Sequence, residues 1–120
     1  MKGLILDDFR ELSDVYIKTG KNVYLQIQDW DVVKSFDEFT TYIMNNGVPG
    51  AISFDHDLTM AHYKEGASHN YRDFNYKNFT DTGAHAARWL VDNYDVSKCI
   101  LLVHTANPFG EKTLNRILNL

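Results

Sequence analysis

Short apolar runs that end in polar residues constrain this chain more than any other feature. Three such runs stand at positions 3–6, 51–54 and 99–103, and carboxylate, imidazole or hydroxyl side chains follow each of them directly. Short apolar runs of this kind are typical of strands that are covered on both faces of a parallel sheet. Stretches with helical spacing separate the runs, so the sequence predicts alternating strands and helices.

Turn and cap residues divide the chain into elements. Strands are predicted at 3–6, 51–54 and 99–103, with a second strand at either 23–27 or 31–34. Helices are predicted where apolar residues recur every three or four positions. These positions are Leu12, Val15, Tyr16 and Thr19 before Gly20; Phe36, Phe39 and Ile43 after a capping box of Ser35 and Glu38; Ala84, Ala87, Leu90, Val91 and Tyr94 after a cap near Asp81; and Leu114, Ile117 and Leu118 in a helix from about Gly110.

This order of elements predicts a three-layer α/β sandwich, with about four mainly parallel strands and helices on both faces. A chain of 120 residues has the length of one domain, which we expect to span positions 1–120. Ligands of such folds bind outside the carboxyl ends of the strands. The polar, aromatic-rich stretch at 59–79 has no clear period, so we expect a loop that covers this edge.

Composition excludes several classes of protein. A net charge of −4 argues against a broad basic surface for nucleic acid, so a phosphate ligand would be held locally. No apolar run approaches the roughly 20 residues that span a membrane. The start, MKGLILDD, is typical of a first strand and not of a signal peptide, so we expect a cytoplasmic protein. The single cysteine, Cys99, is interpreted as a core thiol.

Polar clusters follow three of the predicted strands. Asp, Asn and Thr are common in turns and caps, which would explain any one cluster alone. The carboxyl ends of parallel strands share one edge, however, so three clusters there favour a functional site. The clusters are Asp7 and Asp8; Asp55, His56 and Asp57; and His104, Thr105 and Asn107.

The strand ends resemble the phosphoacceptor receiver domains of two-component signalling. An acidic pair ends strand one, an Asp ends strand three, and Thr-Ala follows strand four. The resemblance implies that Asp7, Asp8 and Asp55 hold Mg²⁺ and that Thr105 contacts a phosphoryl group. The chain departs from receivers because it ends in a helix, where a receiver has a fifth strand that ends in Lys.

A second resemblance covers nearly the whole chain. LDDFR at 6–10, ISFDHDL at 52–58, TGAHAARWL at 82–90 and HTANPFG at 104–110 are together similar to the cyclic-phosphate processing receiver-like domains of bacteria and their phages. That resemblance implies a receiver-derived sheet that hydrolyses a cyclic phosphate. The expected substrate is a 2',3'-cyclic RNA end or a cyclic nucleotide.

Opening a cyclic phosphodiester requires a nucleophilic water, charge relief on the phosphate and an acid for the leaving hydroxyl. Carboxylates can hold a divalent metal ion, Mg²⁺ or Mn²⁺, that supplies the first two. We assign Asp8 and Asp55 to the metal, with Asp7 and Asp57 as outer ligands or orienting groups.

Two histidines supply the proton transfer in this scheme. His56 and His104 form the acid and base pair, because an imidazole titrates near neutral pH. A metal-free version stays open, in which these histidines act alone and the carboxylates fix their tautomers.

Several residues near the same edge are candidates for binding the phosphate. Arg10 lies one turn into the first predicted helix, and a solvated arginine explains it equally well. A helix N-terminus at Thr82 and Gly83 has free N–H groups for an oxyanion, and an ordinary helix cap explains these residues equally well. Thr105 and Asn107 complete the set, and Asn107 also suits the turn before the last helix.

Three classes of function remain open. The first is a cyclic phosphodiester hydrolase, and the second is a receiver switch that is phosphorylated on Asp55. The third is a catalytically silent module that binds or sequesters a nucleotide ligand or a protein partner. Metal-dependent turnover separates the first class from the third.

Overall fold

The computed structural model describes residues 2–7, 22–27, 29–55, 83–105 and 108–120. These residues form four strands and four helices. In chain order they are β1 (Lys2–Leu6), α1 (Val23–Gln26), β2 (Asp29–Val33), α2 (Phe36–Asn46), β3 (Ala51–Phe54), α3 (Gly83–Asn93), β4 (Ile100–Val103) and α4 (Pro108–Leu118).

The four strands form one parallel sheet in the order β2-β1-β3-β4. Leu6 pairs with Val33 on one side and with Phe54 on the other, and Phe54 in turn pairs with Val103. The strand order therefore reverses between β1 and β3, where α/β sheets bind their ligands. The predicted fold class, a three-layer α/β receiver-like sandwich, is confirmed.

Alternation along the strands divides the core between the two faces of the sheet. Leu4, Leu6, Ile52 and Phe54 are fully buried in a cluster that also contains the inner residues of α2, α3 and α4. On the opposite face, Ile5 packs with Tyr24 of α1, and Trp30 and Leu102 lie against this pair. We call this second side of the sheet the α1 face, and the polar residues described below lie on it.

The ends of α2 match the sequence pattern. The Oγ atom of Ser35 accepts a hydrogen bond from the Glu38 N–H at 3.1 Å, which caps the helix. At the other end the N–H of Gly47 donates to the carbonyl of Ile43 at 2.8 Å. Gly47 has a φ of 81°, a conformation that glycine adopts without strain.

Some predicted boundaries were wrong. Residues 23–26 form the short helix α1 and not a strand, and the Tyr24 hydroxyl of this helix contacts Ser53 of the sheet. The alternative at 31–34 overlaps β2, which begins two residues and ends one residue earlier. The fourth strand begins at Ile100, one residue after Cys99. The last helix begins at Pro108, since proline suits a first helical turn.

The predicted helix at 12–19 and the loop at 59–79 lie outside the described residues. Within the described ranges, no helix is both long enough and apolar enough to cross a membrane.

Candidate active site

Three polar residues extend the sheet just beyond the carboxyl ends of β1, β3 and β4. The backbone N–H groups of Asp7, Asp55 and His104 donate to the carbonyls of the last residues of β2, β1 and β3, at 3.0, 3.0 and 2.9 Å. The parallel ladder thus continues for one more step. It sets the three residues side by side in one row, with Asp55 in the middle.

This row is buried on the α1 face of the sheet. Asp7, Asp55 and His104 are only 1%, 2% and 2% exposed. Each lies two residues after a side chain of the α1 face, so strand alternation directs all three to that face. Two carboxyl groups and an imidazole are therefore enclosed where water screens electrostatic interactions poorly.

The imidazole of His104 reaches across β3 to β1. Its Nε2 atom lies 2.9 Å from Oδ2 of Asp7, and its Nδ1 atom lies 2.6 Å from Oγ of Ser53. Since β3 lies between β4 and β1, the ring bridges three strands of the sheet. Both ring nitrogens thus have hydrogen-bond partners inside the protein.

A buried tyrosine continues the chain of hydrogen bonds. The hydroxyl of Tyr24 lies 2.6 Å from Oγ of Ser53, and both residues are fully buried. Burial raises the pKa of the Tyr24 phenol above its ordinary value of 10.0. The indole N–H of Trp30 donates to the backbone carbonyl of Tyr24 at 3.0 Å, which holds α1 against the sheet.

The chain that carries this buried cluster matches one known family. The model of the cyclic-phosphate processing receiver domain matches residues 2–120. The chain belongs to that family. No curated protein and no solved structure matches this receiver domain significantly. The family resemblance carried by the four sequence motifs is thereby confirmed.

Two predicted binding residues of this receiver domain lie in the described part. Thr105 follows His104 and is 9% exposed. Gly83 is buried at the start of α3. Only six residues connect α3 to the start of β4, so the end of α3 lies at the amino edge and Gly83 faces the carboxyl edge.

The structure thus brings together three of the predicted catalytic and metal-binding residues. Asp7, Asp55 and His104 meet in one buried row. The other predicted site residues lie outside the described residues: Asp8, Arg10, His56, Asp57, Thr82 and Asn107. Their roles stay predictions.

Sequence reasoning missed Ser53 and Tyr24. Ser53 is a polar residue inside a central strand, and a buried hydroxyl requires a hydrogen-bond partner, so it carried a usable signal. Tyr24 carried none, because a tyrosine in a short helix is usually ordinary packing. Its partner Ser53 is 29 positions away in the sequence.

Proposed function

We propose that this receiver domain hydrolyses a cyclic phosphodiester, either a 2',3'-cyclic RNA end or a cyclic nucleotide. Water attacks the phosphorus, one P–O bond of the ring breaks, and the leaving oxygen takes a proton. The observation that carries the proposal is the buried Asp7–His104 pair beside Asp55 at the switch point of the sheet. Enclosed carboxylates of this kind oppose folding, and they are common at sites of chemistry.

The carboxylates fit a hard divalent cation, Mg²⁺ or Mn²⁺. Asp7 and Asp55 end neighbouring strands on one face, and carboxylate oxygens are the ligands that these ions prefer. Within the ranges that the structure describes, no group of three His, Cys, Asp or Glu side chains is arranged to hold a metal ion. The proposed third ligand, Asp8, lies outside those ranges, as does Asp57, the proposed orienting group. A bound cation would supply charge relief on the phosphate and a more acidic water.

The contacts of His104 refine its role in the proposal. Its side chain is fully buried, and Nε2 is in hydrogen-bond contact with Asp7. In this scheme His104 orients the Asp7 carboxylate, and His56 gives the proton to the leaving hydroxyl. In the metal-free alternative, His104 itself exchanges a proton with the substrate, and Asp7 fixes its tautomer.

Substrate binding is proposed to be local. The net charge of −4 favours a small phosphate ligand or an RNA end over a long nucleic acid. Thr105 and the N–H groups at Gly83 and Thr82 are proposed to contact the phosphate oxygens. Arg10 and Asn107 complete the proposed set.

Hydrolysis by the purified protein tests the proposal. The substrates are 2',3'- and 3',5'-cyclic nucleotides and RNA with a cyclic-phosphate end, each with Mg²⁺, Mn²⁺ or EDTA. Asp55→Asn and His56→Ala are expected to abolish turnover. Asp95→Asn is the matched control, because its exposed carboxylate accepts the Ser97 N–H at 2.9 Å near the amino edge.

The outcomes separate the candidate functions. Metal-dependent turnover that both active-site variants lose supports the hydrolase. Tight nucleotide binding with no turnover on any substrate contradicts it and favours a silent binding module. Stable phosphorylation of Asp55 by acetyl phosphate contradicts it in favour of a receiver switch.

A further inference from the structure

A chain of buried hydrogen bonds runs along the α1 face of the sheet, from Tyr24 of α1 to Asp7. Its members are Tyr24, Ser53, His104 and Asp7, and each is 2% exposed or less. The three links measure 2.6, 2.6 and 2.9 Å. We refer to these four residues as the relay.

One direction of donation satisfies every atom of the relay. The Asp7 carboxylate only accepts, so Nε2 of His104 carries a proton and donates to it. With a neutral imidazole, Nδ1 then accepts from the hydroxyl of Ser53. The Ser53 oxygen in turn accepts from the Tyr24 hydroxyl.

The position of the relay gives it a mechanical role. The His104 side chain reaches Asp7 over β3, the strand that carries Ser53. Ser53 lies two residues before Asp55. A ring held at Nε2 alone would be free to tilt about its hydrogen bond to Asp7. Contacts at both nitrogens fix the plane of the ring. The Tyr24 contact fixes Ser53, and packing against Trp30 fixes Tyr24 (ring centroids 5.6 Å apart).

We propose that Ser53 and Tyr24 are positioning residues of the active site, which hold His104 so that its Nε2–H sets the place of the Asp7 carboxylate. Ser53 acts directly on the ring, and Tyr24 acts through Ser53. The effect on catalysis rests on the proposed function, but the effect on His104 does not. Groups that orient a reacting carboxylate typically contribute about 10- to 100-fold to activity or metal affinity.

Nitrogen-15 NMR of the histidine rings tests the inference without any substrate. Spectra are recorded at about pH 8.5, two units above the ordinary pKa of histidine, and His104→Gln assigns the signals. We expect wild type to show a proton on Nε2 of His104 that exchanges slowly with water, and a hydrogen-bonded Nδ1. Ser53→Ala is expected to move the Nδ1 signal and to speed exchange at Nε2 by about tenfold or more. Tyr24→Phe is expected to have a smaller effect in the same direction, because the Ser53 hydroxyl loses its polarising donor.

Two controls remove a hydroxyl elsewhere. Thr113→Val removes a buried hydroxyl that donates to the Phe109 carbonyl at 3.0 Å, and Tyr42→Phe removes a partly buried hydroxyl that donates to Asp31. Neither is expected to change the His104 signals. If Ser53→Ala does not fold, Tyr24→Phe decides the test, since it removes a single oxygen atom.

Hydrolysis assays on the same variants separate this inference from the proposed function. We expect Ser53→Ala to lower kcat about tenfold with little change in KM, and Tyr24→Phe about threefold. His104 signals that are unchanged in the folded variants, or a wild-type ring with its proton on Nδ1, would overturn the inference. Altered His104 signals in a protein that hydrolyses nothing would support the positioning of His104 and contradict only the proposed function.

Discussion

The two edges of the sheet carry similar charged groups in opposite surroundings. At the amino edge, Nζ of Lys2 lies 3.1 Å from Asp29 and 3.2 Å from Asp31, and the Tyr42 hydroxyl donates to Asp31 at 2.7 Å. The side chains of Lys2, Asp29 and Asp31 are 45%, 66% and 41% exposed. Water and salt screen such pairs, so they contribute little to stability.

At the carboxyl edge, the His104–Asp7 pair has a similar separation, 2.9 Å, but its side chains are 0% and 1% exposed. A second carboxylate, Asp55, is buried next to it. Burying a carboxylate away from water costs free energy that one hydrogen bond does not fully return. Distance alone therefore does not identify a functional site, whereas the burial of carboxylates that oppose folding points to one.

Asp55→Asn gives the sharpest test of this comparison. In the proposed mechanism it removes a ligand oxygen, so kcat/KM for the cyclic phosphate should fall at least about 100-fold. Initial-rate assays measure this loss, and urea unfolding in EDTA checks that the variant is folded.

The matched control for Asp55→Asn is Asp31→Asn at the exposed edge. It should leave hydrolysis unchanged, because Asp31 contacts Lys2 and Tyr42 at the opposite edge of the sheet. An equal loss of activity in the two variants would contradict the assignment of the active site to the carboxyl edge.

Gly3→Ala is expected to have the next largest effect, on stability. A Cβ atom on Gly3 would lie 2.4 Å from the Trp30 ring, which cannot move without disturbing Tyr24. Overpacking of this kind costs about 1–3 kcal/mol, measured by urea unfolding. Gly47→Ala is the control, because its added Cβ atom would have no other atom within 4 Å. Its expected cost is about 1 kcal/mol of stability, from a side chain at a positive φ. A Gly3→Ala protein as stable as wild type would show that the α1 face is loosely packed.

Tyr42→Phe is expected to change the stability of the exposed edge at high pH. Burial, followed by the hydrogen bond to Asp31, raises the pKa of Tyr42 from 10.0 to about 12. The unfolded chain releases this proton at lower pH than the folded protein, so stability falls as the pH rises from 10.0 to about 12. The stability of Tyr42→Phe should therefore fall less steeply with pH than that of wild type. Unfolding experiments across this pH range measure the difference. Tyr94→Phe, which keeps Tyr42, serves as the control, and an unchanged slope in Tyr42→Phe would contradict the prediction.

Lys2→Met should have the smallest effect. The pKa of Lys2 is raised by its hydrogen bonds to Asp29 and Asp31, yet all three groups remain in contact with water. We expect no measurable change in the free energy of unfolding at high salt, and at most a slight loss at low salt. A loss as large as that of Gly3→Ala would mean that the exposed edge stabilises the fold after all.

Much of the scaffold was predictable because its signals are local. The run at 51–54 followed by Asp55 indicated a buried strand with a polar end, and β3 has those bounds. Ser35 and Glu38 placed the start of α2 through one hydrogen bond between near neighbours. Residues 23–26 were harder, since a four-residue helix has too few positions to show a period.

The amino-acid pattern was enough to tell which residues end the strands, and hence that Asp7, Asp55 and His104 share one edge of a parallel sheet. Which of these side chains touch depends on the tertiary structure. His104 and Asp7 are 97 positions apart, and His104 and Ser53 are 51 apart. Their contacts depend on the strand order β2-β1-β3-β4 and on which face each strand turns to α1. Local patterns give the alternation of side chains along a strand, but adjacency between strands is set by packing of the whole sheet.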